Sequence, residues 1–293
     1  MLPVMSYPPR VTGLVLACAV VVIGSASVGA QSPAASPATS PNAWPVASVA
    51  HPTGATDVIL RMDTGGGLVA PPYGLTHAPE FTLYGDGTVI FRPAADPEGD
   101  GLPPFIQAAM TAPQVGDLLT YALVSGGLRD ARESYQSRQV ADQSTTVFTI
   151  RAGGVDKSVA VDGLGTTLPD GEDAAAYQGF QTLGVLLADF GQQVAAGHAQ
   201  DPQPYQPAAY RAFLSPAMDP TAPAIPWPWP DLTLADFQPH ADNEGVLVAA
   251  LTPAHVASVA SIPSGGVLSI AIRTPDGAPA TLTIRPLLPD ESA

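Results

Sequence analysis

The chain reads as an α+β protein of two lobes, each built from antiparallel β-hairpins packed with one or two helices. Three observations lead there. Short runs of alternating apolar and polar residues end in Asp-Gly or Gly-Gly turns. Two longer stretches repeat apolar residues with a helical period. A segment holding nine prolines, residues 201–231, separates an earlier group of elements from a later one and precludes a regular helix across it. The expected organisation is a first lobe over 57–200, a proline-rich joint over 201–231 and a second lobe over 232–293.

In the first lobe, Val58, Leu60 and Met62 alternate with Ile59, Arg61 and Asp63, a strand that ends at Gly65-Gly66-Gly67. Phe81 to Tyr84 and Thr88 to Arg92 flank Gly85-Asp86-Gly87, a hairpin turned by Asp-Gly. Thr111 with Gln114 three residues on forms a capping-box opening, and Val115, Leu118, Leu119, Ala122 and Leu123 then recur with a helical period up to Gly126-Gly127. Thr145–Arg151 and Lys157–Val161 make a second hairpin. Ala176, Phe180, Leu183, Leu187 and Phe190 lay one apolar stripe along a helix. In the second lobe, Val246–Leu251 reads as a strand, Thr252-Pro253 as a helix start, and Val267–Arg273 with Ala280–Arg285 as a hairpin turned by Pro275-Asp276-Gly277. Thr111-Ala-Pro-Gln-Val115 echoes Thr252-Pro-Ala-His-Val256, so the two lobes are candidates for a degenerate duplication; common capping and strand patterns produce the same echo.

Ahead of the first lobe, Arg10, a predominantly apolar run from Val11 to Ile23 and the small residues Ser27-Val28-Gly29-Ala30 have the order of a secretory signal peptide cut after Ala30. The alternatives are retention of this segment as a membrane anchor, or lipidation at Cys18, where the bulky Leu16 fits a lipoprotein box poorly. Cleavage removes the only cysteine, so neither a disulfide framework nor a thiolate site is expected in the mature chain. Residues 31–56, uncharged up to Thr56 and rich in Pro, Ser and Ala, read as a disordered linker.

Without residues 1–30 the chain keeps 10 basic against 26 acidic side chains, a net charge of −16 where the whole chain has −15. Such a surface repels phosphate backbones and anionic lipid, which excludes nucleic acid as an expected partner.

Candidate chemistry is sparse. Asp63-Thr64-Gly65 is the triplet with which aspartic peptidases present a carboxylate after a strand, and their chemistry needs two aspartates sharing a proton. No second triplet is present, Leu183-Gly184 falls within a helical stripe, and Asp63 remains a catalytic candidate only through dimerisation. A strand end followed by a glycine turn is the simpler reading. Asp96, Glu98, Asp100 and Gly101 match the start of a calcium loop, but Gln107 stands where a bidentate glutamate is needed, so these three acids are marginal metal candidates. The five histidines lack the spacing of a zinc site. Trp227 and Trp229, in Trp-Pro-Trp-Pro, are candidate ligand-binding aromatics or wedges between lobes. No cofactor is expected.

Asp63-Thr-Gly-Gly-Gly67, Phe81-Thr-Leu-Tyr-Gly-Asp-Gly-Thr88 and Arg285-Pro-Leu-Leu-Pro-Asp-Glu291 together resemble a family of uncharacterised exported bacterial proteins, over most of residues 57–291. That resemblance implies location and architecture and no activity. The glycine pair after the first strand, with the following hairpin and helix, is loosely similar to small secreted protease-inhibitor domains. The expected function is a non-catalytic extracytoplasmic binding or interaction protein with a protein, peptide or glycan partner. The alternatives are a dimeric aspartic-type peptidase using Asp63, or a protease-inhibitor-like domain.

Overall fold

A computed structural model describes residues 49–67, 74–93, 103–136, 142–165, 173–259 and 268–292. Among them the α+β expectation holds, as two antiparallel-rich sheets with helices against the first. The first sheet has the order β5-β7-β6-β1-β2-β3-β4-β8. Its strands are β1 (Val58–Gly65), β2 (Phe81–Tyr84), β3 (Thr88–Phe91), β4 (Ile106–Ala109), β5 (Ser134–Tyr135), β6 (Thr145–Ala152), β7 (Val155–Asp162) and β8 (Gln200–Pro204). The second has the order β10-β11-β9-β13-β12, from β9 (Tyr210–Pro216), β10 (Gln238–Pro239), β11 (Leu247–Leu251), β12 (Leu268–Arg273) and β13 (Pro279–Pro286). Both sheets lie within one unit, residues 44–293.

The core of the first sheet forms where alternation meets the helices. Leu60 and Met62 of β1, Phe81 and Leu83 of β2, Val89 and Phe91 of β3, and Phe148 and Ile150 of β6 all turn to one face. There they meet α1 (Ala112–Val124) and α2 (Ala174–Ala188), whose stripes Val115/Leu118/Leu119/Ala122 and Phe180/Leu183/Leu187 are buried as the periodicity predicts. A bulge between Val58 and Leu60 brings Ile59 into this core as well. The second stripe does not continue unbroken to Phe190: α2 breaks at Asp189, with φ −114° and ψ 49°, and a short α3 (Phe190–Ala195) begins. The break seats the Phe190 ring 4.9 Å from that of Phe81 and 5.3 Å from that of Phe91.

Capping and turn chemistry follow the sequence. The Thr111 N–H donates to Gln114 Oε1 at 2.7 Å, and Gln114 Nε2 continues to the Gly197 carbonyl at 2.8 Å, tying α1 to the turn after α3. In the β2–β3 turn, Gly87 has φ +88°, and a Cβ there would stand 2.4 Å from the Met110 carbonyl oxygen. Thr252 likewise opens the short helix α4 (Pro253–Ala257), but α1 has 13 residues and α4 only 5.

Three differences from expectation concern weakly patterned segments. Ordered structure begins before residue 57: Val49 packs on the first core and the Gly153 N–H donates to the Ala50 carbonyl at 2.8 Å. The proline-rich joint contains β9, which pairs with both β11 and β13 and so is a central strand of the second sheet. Its prolines do not interrupt it, since Pro216 closes the strand and Tyr210–Ser215 carry none. β4 and β8 extend the first sheet beyond the expected hairpin; β8 carries Pro202 and Pro204 and is exposed throughout, which suits an edge strand.

After β13 the chain crosses onto the other face of the first sheet. Leu288 enters a small core with Ala78, Tyr84, Ile90, Phe105 and Tyr205. Asp290 accepts hydrogen bonds from the Tyr84 hydroxyl and from Arg61 Nη2, both at 2.7 Å. Arg285 grips Glu291 with both terminal nitrogens, at 2.8 and 2.7 Å, and the Leu288 N–H donates to the same carboxylate. Burial pushes the Tyr205 phenol up to about 12, so it stays protonated and donates to the Leu287 carbonyl at 2.7 Å. Burial alone would raise the Glu291 carboxyl; the hydrogen bonds and charge of Arg285 outweigh it and hold the group below its ordinary range.

Two outcomes are expected. Glu291→Ala leaves the nearly buried Arg285 guanidinium uncompensated and should cost about 3 kcal/mol in urea unfolding at neutral pH. Its effect should shrink as pH falls through the depressed Glu291 value, where the wild-type pair is also lost; an unchanged midpoint contradicts the assignment. Gly87→Ala should cost about 2 kcal/mol or more, because both the positive φ and the Met110 carbonyl oppose a methyl.

Candidate functional site

The end of β1 carries two different environments on its two faces. β2 starts at Phe81, opposite Met62, so Asp63, Thr64 and Gly65 extend past it and are paired only with β6. The Thr64 N–H therefore finds no partner on β2. The carboxylate of Glu80, the residue just before that strand, takes the bond at 2.9 Å.

On the face away from the helices, His77 Nε2 pairs with the Asp63 carboxylate, each side chain about one third exposed (33% and 34%). The imidazole lies against Gly65, where an added Cβ would come 3.4 Å from Nε2. The hydrogen bond to Asp63 raises the His77 pKa above its ordinary 6.5; burial opposes this, the charges of Asp63 and Glu80 add to it, and Arg285 works against it. Glu80 is raised as well, chiefly by burial, which its bonds from backbone N–H groups only partly offset.

On the helix face, Thr64 and Thr146 line an open groove of about 190 Å³ with Met62, Leu164, Gly184 and Val185. Gly184 of α2 lies close beneath Leu164: an added Cβ would come 3.0 Å from Leu164 Cδ2, the end of that side chain, and make ordinary contact with Phe148 Cζ at 3.6 Å. The Thr64 and Thr146 hydroxyls bond each other at 3.1 Å and, with Gln181 of α2, supply the polar part of a mostly apolar wall. Val185 on the rim is 65% exposed.

Among the described residues, Asp63 is not brought together with Trp227 and Trp229. Asp63 faces an imidazole, and its neighbouring hydroxyl, Thr64, points to the opposite face and bonds Thr146. Trp229 is 3% exposed within the core of the second sheet, its indole N–H donating to the His255 carbonyl at 2.8 Å. Trp227 packs edge-on against it and donates to the Leu232 carbonyl at 2.7 Å. Asp96, Glu98 and Asp100 lie outside the described residues. Among the described residues no group of three His, Cys, Asp or Glu side chains is placed to hold a metal ion. Sequence reasoning missed His77, Glu80 and the groove; a glycine inside the apolar stripe of α2, at Gly184, was the available sign that something approaches there closely.

Chemically, the groove can take a small apolar group and offer it threonine hydroxyls and the Gln181 amide, while the Asp63–His77 pair can exchange a proton. No family model, curated protein or solved structure matches the chain. No helix among the described residues is long and apolar enough to cross a membrane.

The His77 ring should titrate above 6.5 by NMR in the native protein. Stability from this pair is then complete below the unfolded value and lost as pH rises through the native one. Asp63→Asn should bring the midpoint to 6.5 or lower; an unmoved midpoint contradicts the pairing.

Proposed function

We propose that the protein is a non-catalytic binding protein of the extracytoplasmic space, which engages a polypeptide partner by seating one of its apolar side chains in the groove between β1, β6 and α2. The observation that carries this reading is the groove itself: mostly apolar walls, an exposed valine on the rim and a volume of about 190 Å³, on the scale of one aliphatic side chain. The acidic balance and the basic–apolar–small order of residues 1–30 support an exported protein with no nucleic-acid partner. Under this reading the N-terminal segment addresses the chain for export.

The peptidase alternative asks Asp63 to share a proton with a second aspartate, whereas Asp63 is paired to an imidazole. The inhibitor-like alternative uses the same end of β1 and its glycine turn, and differs only in the partner being a secreted peptidase.

The test is an amide NMR titration of the protein with N-acetyl-leucinamide, using N-acetylglycinamide as control. Burial of one leucine side chain is worth about 1.5–3 kcal/mol, so a dissociation constant on the order of 10 mM is expected for the isolated residue. Shifts should concentrate at Thr64, Thr146 and Val185, be absent with the glycine probe, and disappear in Val185→Asp without a change in melting temperature. Leucine-probe shifts that are absent or scattered over the surface contradict the reading, as does cleavage of casein that Asp63→Asn abolishes.

A further inference from the structure

Asp63 and Thr64 are consecutive residues of one strand, so their side chains stand on opposite faces of the sheet. One belongs to the charged cluster and the other to the groove wall. The N–H of the peptide that joins them is held by Glu80, so a change of charge in the cluster reaches the groove through one rigid peptide unit. We propose that Asp63, His77 and Glu80 form a proton-operated clamp on the groove, which binds an apolar side chain more tightly when His77 is protonated than when it is neutral. The proposal rests on the groove being the binding site.

The charged groups around His77 come from three places. Asp63 on β1 pairs with it directly, Glu80 ahead of β2 adds attraction, and Arg285 on β13 repels it while itself being held by Glu291. When the imidazole is charged, it offsets the repulsion between the Asp63 and Glu80 carboxylates. When it is neutral, that offset is lost and the repulsion between the two carboxylates is no longer countered by the imidazole. The strand end is then held less firmly, and Thr64 with it. The raised His77 pKa places this change above the ordinary imidazole range.

The same N-acetyl-leucinamide titration, run on the full chain at about pH 6 and about pH 8.5, spans that change. Wild type should bind about fivefold more tightly at the lower pH, within the usual range of site-to-site coupling. His77→Gln should bind with equal affinity at both, near the wild-type value at high pH, and Glu80→Gln, which keeps an acceptor for the Thr64 N–H, should reduce the wild-type difference. Equal wild-type affinities at the two pH values, or a pH difference that persists in His77→Gln, overturn the clamp. Without any probe, the amide shifts of Thr64 and Thr146 should follow the titration of the His77 ring. If they do while the probe fails to bind at either pH, the binding reading fails and the coupling stands; if they ignore the ring, the clamp fails whatever the probe does.

Discussion

The two sheets share no strand, and the segment that follows β13 joins them through a set of contacts concentrated in six residues, Leu287 to Ser292. Leu288 fills a core on the face of the first sheet that the helices leave uncovered. Asp290 ties this segment to Arg61 and Tyr84 in β1 and β2, while Arg285 and Arg211 hold Glu291 and the Ser292 carbonyl from β13 and β9. Charged residues are scarce in this chain, at 13%, and a marked share of its arginines is spent here. A buried pair of this kind contributes little net energy over an apolar replacement, but removing one member is costly, so it fixes position more than it adds stability.

That placement bears on the site. Arg285, held by Glu291, is one of the charges felt by His77, so the clasp of the two sheets and the ion pair at the end of β1 are electrostatic neighbours. The first sheet thus serves two surfaces at one strand end. Its helix face offers a groove lined in part by Gly184, and its other face carries the titratable cluster.

Hairpins and amphipathic helices were legible because their determinants are local. Asp86-Gly87 can only turn, the Thr111–Gln114 spacing can only cap, and alternation in β1 or a stripe in α2 needs no knowledge of the partner. β9 was obscured because a count over 201–231 averages its proline-free run with prolines on either side. β4 and β8 carry little pattern of their own and are strands because a neighbour offers them a ladder. The clasp motif was visible as Arg285-Pro-Leu-Leu-Pro-Asp-Glu291, but its meaning lay in partners such as Arg61, 229 residues away from Asp290 in the chain. His77 and Glu80 follow no spacing rule, and Trp227 and Trp229 stayed open between binding aromatics and wedges because sequence cannot tell an indole whose N–H is satisfied by a backbone carbonyl from one left open.

The most direct test of the account is native-state amide hydrogen exchange on wild type and Asp290→Ala. If the C-terminal clasp makes the two sheets one cooperative unit, the slowest amides of β1–β3 and of β9–β13 exchange with a common opening free energy, and the substitution lowers both by the same amount. Separate opening free energies for the two sheets, with Asp290→Ala lowering only one of them, would contradict it.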